Sequence, residues 1–331
     1  MEANSSKYQF SFYPLLAIAP FFLWGTAMVA MKGVIPHTTP FFMAGVRLVP
    51  AGILVLIAAA LLGRCQPKGW KAWLWISLFA LLDGAMFQGF LAQGLVRTGA
   101  GLGSVMIDSQ PLAVALLSSW LFAEVIGLWG WLGLGIGILG ISLIGLPDQW
   151  FLSLWETRSL AFSFSWENLL NSGELLMLLA SLSMALGTVI VPFVSRHVDP
   201  IVATGWHMIL GGIPLFILSA IGESHQWSEI HLEGWLALSY ATVFGSAIAY
   251  GIFFFLASQG NLTSLSSLTF LTPIFALTFS NLFLTEILSP LQWLGVALTL
   301  ISIYLINQRE KIAQQVSTWL STKTEQSLNN S

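Results

Sequence analysis

The chain has 331 residues, is 56% hydrophobic and only 8% charged, and has a mean hydropathy of +0.80. A soluble domain carries about 25% charged residues, so a water-facing globule is excluded and most of the surface must meet lipid. The net charge of −3 excludes a nucleic-acid partner, which needs clustered Lys and Arg, and the single cysteine, Cys65, excludes an internal disulfide.

A helix that crosses the hydrocarbon core needs about 20 mostly apolar residues. Ten such stretches follow one another: 14–35, 40–62, 70–94, 100–122, 127–146, 172–194, 200–221, 235–257, 262–284 and 289–306. Turn-forming or charged residues separate them, among them Pro36 to Pro40, Gly63 to Gly69, Asp199-Pro200 and Ser289-Pro290. The first span is too long for a signal-peptide core and no Ala-x-Ala site follows it, so a signal peptide is not expected. Residues 147–171 hold Trp150, Phe151, Trp155, Phe162, Phe164 and Trp166. They are too polar to span and too aromatic for a free linker, and an interfacial segment on the outer face is expected. The tail, 307–331, is polar but carries Ile312, Val316, Trp319 and Leu320 at helical spacing, which fits either a helix on the inner leaflet or a disordered end.

Lys and Arg set the orientation. With the N-terminus inside, Lys7, Arg64, Lys68, Lys71, Arg196, Arg309, Lys311 and Lys323 lie on the cytoplasmic side, against Lys32, Arg97 and Arg158 on the other. Both termini are therefore expected in the cytoplasm, with the chain in the plasma (cell inner) membrane.

The chain also repeats itself at a spacing of 162 residues: Ser104, Pro111, Ser118 and Glu124 match Ser266, Pro273, Ser280 and Glu286, and Trp131-Leu132-Gly133 matches Trp293-Leu294-Gly295. Gly25-Thr26 matches Gly187-Thr188, Gly89 matches Gly251, and Pro40, Gly45 and Gly52 match Pro200, Gly205 and Gly212 with a two-residue slip. Pro, Glu and Trp do not coincide in register by chance, so the chain is a duplication. Five spans per copy put the second copy upside down. The expected fold is an all-α polytopic membrane protein of ten transmembrane helices, built as two inverted five-helix repeats at 14–146 and 172–306. Inverted repeats of this kind place a substrate site at their interface near the midplane.

Charge inside a span costs about 2.5–3.5 kcal/mol on insertion scales and marks candidate sites. Arg47 and Asp108 lie at matching depths in the second and fourth spans, and an ion pair between them is sterically reasonable, either as a lock or as part of a substrate site. Asp83, near the middle of the third span, has no obvious partner and is a candidate proton carrier. Gln88 and Gln110 are amides that could bridge helices. His207 suits a hydrogen-bonded structural histidine better than a proton carrier. Trp24 and Trp206 stand inside their spans, unlike most of the tryptophans, and are candidate ring walls. With Tyr250 these complete the candidate substrate-binding set. Glu124 and Glu286 sit symmetrically at helix ends and point to a shared structural task. Gly133, Gly137 and Gly140 share one face, suited to close helix contact.

These residues resemble a known family. Trp24-Gly25-Thr26 with Lys32 closing the first span, Arg47 seven residues after Pro40, and the doubled series Pro111, Glu124, Gly133 and Pro273, Glu286, Gly295 are similar to the ten-helix EamA group of the drug/metabolite transporter superfamily. The resemblance covers roughly 14–306 and implies metabolite transport, often export of amino acids or related small solutes. One departure is His207, which stands where the first copy has Arg47.

The leading reading is a secondary transporter, a permease or exporter, that moves a small polar metabolite by alternating access, with protons as a candidate coupling ion. A nucleotide-sugar or other metabolite exchanger is the alternative within the same superfamily. A channel lacks a filter-like segment. An intramembrane enzyme lacks HExxH and GxSxG, and the chain has no GxxxxGK[ST] loop for ATP. No catalytic residue, metal or other cofactor is expected.

Overall fold

The computed structural model describes residues 9–97, 107–145, 173–284 and 289–329. The interfacial segment expected at 147–171, and Glu286, lie outside the described residues.

Among the described residues ten apolar helices correspond to the ten predicted spans, and the first part of the fourth span, 100–106, lies outside the described residues. They are α1 (Gln9–Lys32), α2 (Pro40–Leu61), α3 (Trp70–Arg97), α4 (Gln110–Phe122), α5 (Gly127–Gly145), α6 (Gly173–Val194), α7 (Pro200–Gly222), α8 (Leu232–Ala257), α9 (Leu262–Leu284) and α10 (Pro290–Asn307). Eight carry a stretch long and apolar enough to cross a membrane. The two with shorter apolar stretches, α4 and α9, occupy the same place in the two repeats. An eleventh helix, α11 (Arg309–Asn329), continues the chain, so the described part of the tail is helical.

The surface is apolar and the polar groups are inside. Ile53, Ile57 and Leu61 of α2 are exposed, as are Ile213, Ile217 and Ile221 of α7, so the two matching helices turn the same stripe outward. Arg47, Asp83, Gln88, Asp108, Gln110, Thr188, His207 and Ser246 are buried. This is the distribution that a lipid solvent selects, because an exposed polar group there would have no water to bond.

The helices interlock across the repeats rather than forming two separate halves. α2 packs along α7 and α5 along α10; α3 crosses α7 as α8 crosses α2; and α1 lies on α9 as α6 lies on α4. Each of these contacts thus has a counterpart with the repeats exchanged, as a pseudo-two-fold axis requires. Glycines allow the closest approaches. A Cβ on Gly52 would stand 2.6 Å from the Gly205 carbonyl oxygen, and one on Gly295 2.7 Å from that of Gly140. Gly133, Gly137 and Gly140 do turn one face to neighbours, chiefly α10.

The ends of the helices are tied across the repeats as well. On the face that holds His37, Glu223 at the end of α7 accepts hydrogen bonds from the Phe41 and Phe42 amides and from Thr39 Oγ1 (2.9, 3.1 and 2.7 Å), which caps α2. On the face that holds Cys65, Asp199 caps α7 and meets Arg64 beyond the end of α2 at 3.2 Å. A capping acid satisfies amides that a helix start leaves without partners. Glu124 accepts from Arg309 at 2.9 Å, and the same guanidinium donates to Ser264 Oγ and the Ile306 carbonyl, which holds the start of α11 against the bundle.

Candidate functional site

Both third helices of the repeats break their α-helical ladder in the same place. Ala80–Phe87 in α3 and Ala241–Ile248 in α8 are turns of π-helix, each flanked by regular α-helix. Such turns insert one extra residue per turn, which widens the helix and re-aims its side chains, and they recur at functional sites. Here they lie at mid-height, where α3 crosses α7 and α8 crosses α2.

Among the described residues three polar contacts join α2 and α3 of the first repeat to α7 and α8 of the second at this level. Arg47 Nη2 donates to Ser246 Oγ at 3.5 Å, from α2 to the π-turn of α8. His207 Nε2 lies 3.2 Å from Asp83 Oδ2, from α7 to the π-turn of α3. Between them, Gln88 Nε2 donates to Tyr250 Oη at 2.7 Å. The first two contacts are counterparts: α2 and α7 match, and so do the two π-turns. The departure noted at His207 is therefore matched by a second one, a carboxylate facing the histidine and a hydroxyl facing the arginine.

Two expectations are corrected here. Asp83 does have a partner, His207, which only becomes visible once α3 and α7 cross. The ion pair considered between Arg47 and Asp108 is absent: among the described residues Arg47 bonds to Ser246 and to no carboxylate.

A cavity of about 150 Å³ lies beside Arg47, in the half of the bundle toward the His37 face. Trp24 and three further residues of α1, Arg47, Phe87, Asp108, Gln110, Tyr250 and Thr272 line it, with Met28, Met31, Met177 and Met184 among its walls. Several polar atoms around it lack hydrogen-bond partners among the described residues: Arg47 Nε, Trp24 Nε1, Gln110 Oε1 and Thr272 Oγ1. Gln110 Nε2 is engaged by Thr188 at 3.2 Å, which fixes the amide and leaves its oxygen unpaired. A buried polar atom without a partner costs about 1–3 kcal/mol, so a cluster of them around a cavity is the arrangement expected of a site that a polar ligand completes.

The opposite half is filled. Phe79 stacks on the His207 ring at 4.0 Å between centroids, and Phe254 meets both rings edge-on at 4.8 and 5.4 Å. Phe79, His207, Phe253 and Phe254 are at most 1% exposed.

Of the nine candidate residues, Trp24, Arg47, Asp108, Gln110 and Tyr250 line the cavity; Gln88 supports Tyr250, and Asp83 and His207 form the buried pair. Trp206 is elsewhere. Its Nε1 donates to Gln66 Oε1 at 2.9 Å and its ring packs edge-on against Trp73 at 5.0 Å. One residue along a helix turns the side chain by about 100°, so the rotation that sends His207 inward sends Trp206 to the rim. The methionines, Phe87, Thr272 and Ser246 were not singled out in the sequence. Thr272 had a signal: it precedes Pro273 as Gln110 precedes Pro111.

The comparisons agree with this architecture. The EamA-like transporter family matches at residues 11–146 and 171–308, once per repeat. An uncharacterized transporter of Synechocystis sp. is 70% identical over 302 residues, 91% of this chain and 92% of that one. A chloroplastic WAT1-related protein of Arabidopsis thaliana is 52% identical over 298 residues, 88% of this chain and 68% of that protein. A solved crystal structure, 17% identical, shares the fold with a TM-score of 0.72 over 88% of this chain and 94% of that one. With both repeats matched, the chain belongs to the EamA-like transporter family and is a multi-pass membrane transporter.

Proposed function

We propose that the chain moves a small zwitterionic metabolite, an amino acid or a related solute, by alternating access between its inverted repeats, and that the cavity beside Arg47 is the solute site. The observation that carries this reading is the set of unpartnered polar atoms around that cavity. Arg47 supplies a guanidinium with donors to spare for a carboxylate. The Gln110 oxygen and the Asp108 carboxylate supply acceptors for an ammonium, and Trp24 and Thr272 add donors. The four methionines and Phe87 form an adaptable apolar wall for the rest of the solute. A nucleotide sugar would want more cationic residues than one arginine for its phosphates.

The orientation follows from the Lys and Arg distribution. The Cys65 face is cytoplasmic and the His37 face is external, in the plasma membrane, with both termini inside. The cavity then lies in the outer half over a closed inner half, and exchanging the roles of the two repeats would open the inner half instead.

A thermal-stability screen of purified protein against amino acids, amines, carboxylates and sugar phosphates tests the reading, since a bound ligand raises stability by mass action. The expected result is stabilisation by zwitterions that Arg47→Gln abolishes while leaving the melting temperature of the solute-free protein nearly unchanged. Stabilisation by sugar phosphates alone, or equal stabilisation of wild type and Arg47→Gln, would overturn it.

A further inference from the structure

We infer that Asp83 and His207 form a proton-binding site, separate from the solute cavity, whose occupancy decides whether the Cys65 half of the bundle stays closed. The inference takes from the transporter reading only what the proton is used for; the site itself stands on geometry.

The two side chains meet at 3.2 Å with 1% and 0% exposure, and neither lines the cavity. Each keeps an unused polar atom: Asp83 Oδ1 and His207 Nδ1 have no hydrogen-bond partner among the described residues. A pair that served only to lock two helices would be expected to have its remaining atoms satisfied, because buried polar atoms otherwise oppose packing. Imidazole is also the side chain that exchanges a proton between about pH 5 and 8. Uptake of one proton from water converts carboxylate and neutral imidazole, net charge −1, into carboxylate and imidazolium, net charge zero. Release to the other side reverses the change. In a water-free interior the two states differ greatly in the ease of burying them.

The pair sits where that difference acts on packing. Asp83 is within the π-turn of α3. One residue on, a Cβ at Gly84 would stand 2.7 Å from Gly211 Cα, so the backbones of α3 and α7 are in contact here. From α6, a Cβ at Gly187 would stand 2.7 Å from Asp83 Cβ. His207 is held between Phe79 of α3 and Phe254 of α8, the rings that fill this half. The titratable and charged groups facing Asp83 are His207 from α7, Tyr250 from α8, and beyond it Arg47 from α2, which acts electrostatically on the same tyrosine. α6 turns Gly187 toward it and α3 adds the neutral Gln88, bonded to Tyr250. Tyr250 also lines the cavity. Tyr250 thus stands between the proton pair and the solute cavity, and any coupling it carries between them is reciprocal.

The direction follows from the charge. With the proton bound, the pair is neutral overall and the closed packing is stable. With the proton lost, an uncompensated carboxylate is buried under Phe79 and Phe254. Opening the Cys65 half to water then relieves the penalty.

The test uses no solute, so its outcome is independent of the zwitterion screen. In the full-length protein, the imidazole nitrogen resonances are followed by NMR from about pH 5 to 9, with His207 assigned by its loss in His207→Gln. The His207 signal should titrate, and should shift in Asp83→Asn. In parallel, Thr204→Cys, with Cys65→Ser, places a thiol one turn from His207 toward the Cys65 face, where Thr204 is fully buried. Its modification by an impermeant thiol reagent, normalised to the exposed Cys65 of the unaltered protein, should rise at least about fivefold with pH. The rise should be absent in Asp83→Asn and in His207→Gln. A His207 signal that does not titrate, or an equal pH dependence of labelling in all three backgrounds, would overturn the inference. Should the cysteine variant fail to fold, the titration of the wild-type resonance decides alone.

Discussion

Gln88 donates from Nε2 to the Tyr250 hydroxyl at 2.7 Å, and the two residues occupy matching positions of the two repeats, 162 apart in the chain. A residue and its own counterpart meet only on or beside the axis that relates the copies. This bond therefore marks the pseudo-two-fold axis at the centre of the bundle, with the Arg47–Ser246 contact on one side and the His207–Asp83 contact on the other.

Both partners of that bond are buried, at 2% and 4% exposure. Removing one leaves the other without a partner, at a cost of about 1–3 kcal/mol, whereas removing both leaves nothing unsatisfied. Gln88→Leu and Tyr250→Phe should each lower the unfolding midpoint, and the double variant should lose clearly less than the sum. Strictly additive losses would show that the bond does not tie the repeats together.

The crossing of α3 over α7 depends on having no side chain at Gly84. An alanine there would set its Cβ 2.7 Å from Gly211 Cα and 2.9 Å from the His207 carbonyl oxygen, both backbone atoms. Gly84→Ala should destabilise the protein by about 1–3 kcal/mol and disturb the His207–Asp83 contact. Gly135→Ala, on α5 where a Cβ would meet nothing within 4 Å, should be neutral or slightly stabilising through helix propensity. Equal melting temperatures for Gly84→Ala and wild type would refute the close crossing.

Much of this fold was legible because its landmarks are rare residues. Pro111, Glu124 and Trp131 in register with Pro273, Glu286 and Trp293 announce a duplication that leucines could not, and five spans per copy make it inverted. The polar contacts at the centre were less legible. Asp83 and His207 are 124 residues apart and meet only because α3 and α7, which run in the same direction, cross at Gly84 and Gly211. Neither the crossing point nor the helix rotation is encoded in a local pattern. Depth in a span was readable for Trp206 and His207 alike, but which of two neighbours faces inward was not. The π-turns left no local signature either: Ala80–Phe87 and Ala241–Ile248 share no residue pattern that sets them apart from the α-helix on either side.

The orientation makes a prediction of its own. Cys65 is exposed and belongs to the face read as cytoplasmic. An impermeant thiol reagent should leave it unmodified in intact cells and label it after lysis. A cysteine at Glu229, exposed between α7 and α8, should label in intact cells in a Cys65→Ser background. The reverse pattern would invert the assignment of inner and outer half.

In the proposed mechanism one cavity serves both sides of the membrane in turn. Counterflow in proteoliposomes tests it most directly, using the solute that most stabilises the purified protein. Vesicles preloaded with unlabelled solute should transiently accumulate labelled solute above the outside concentration, saturably, and Arg47→Gln should abolish the overshoot. Flux that grows linearly with concentration and shows no overshoot would mean an open pore and would rule out alternating access.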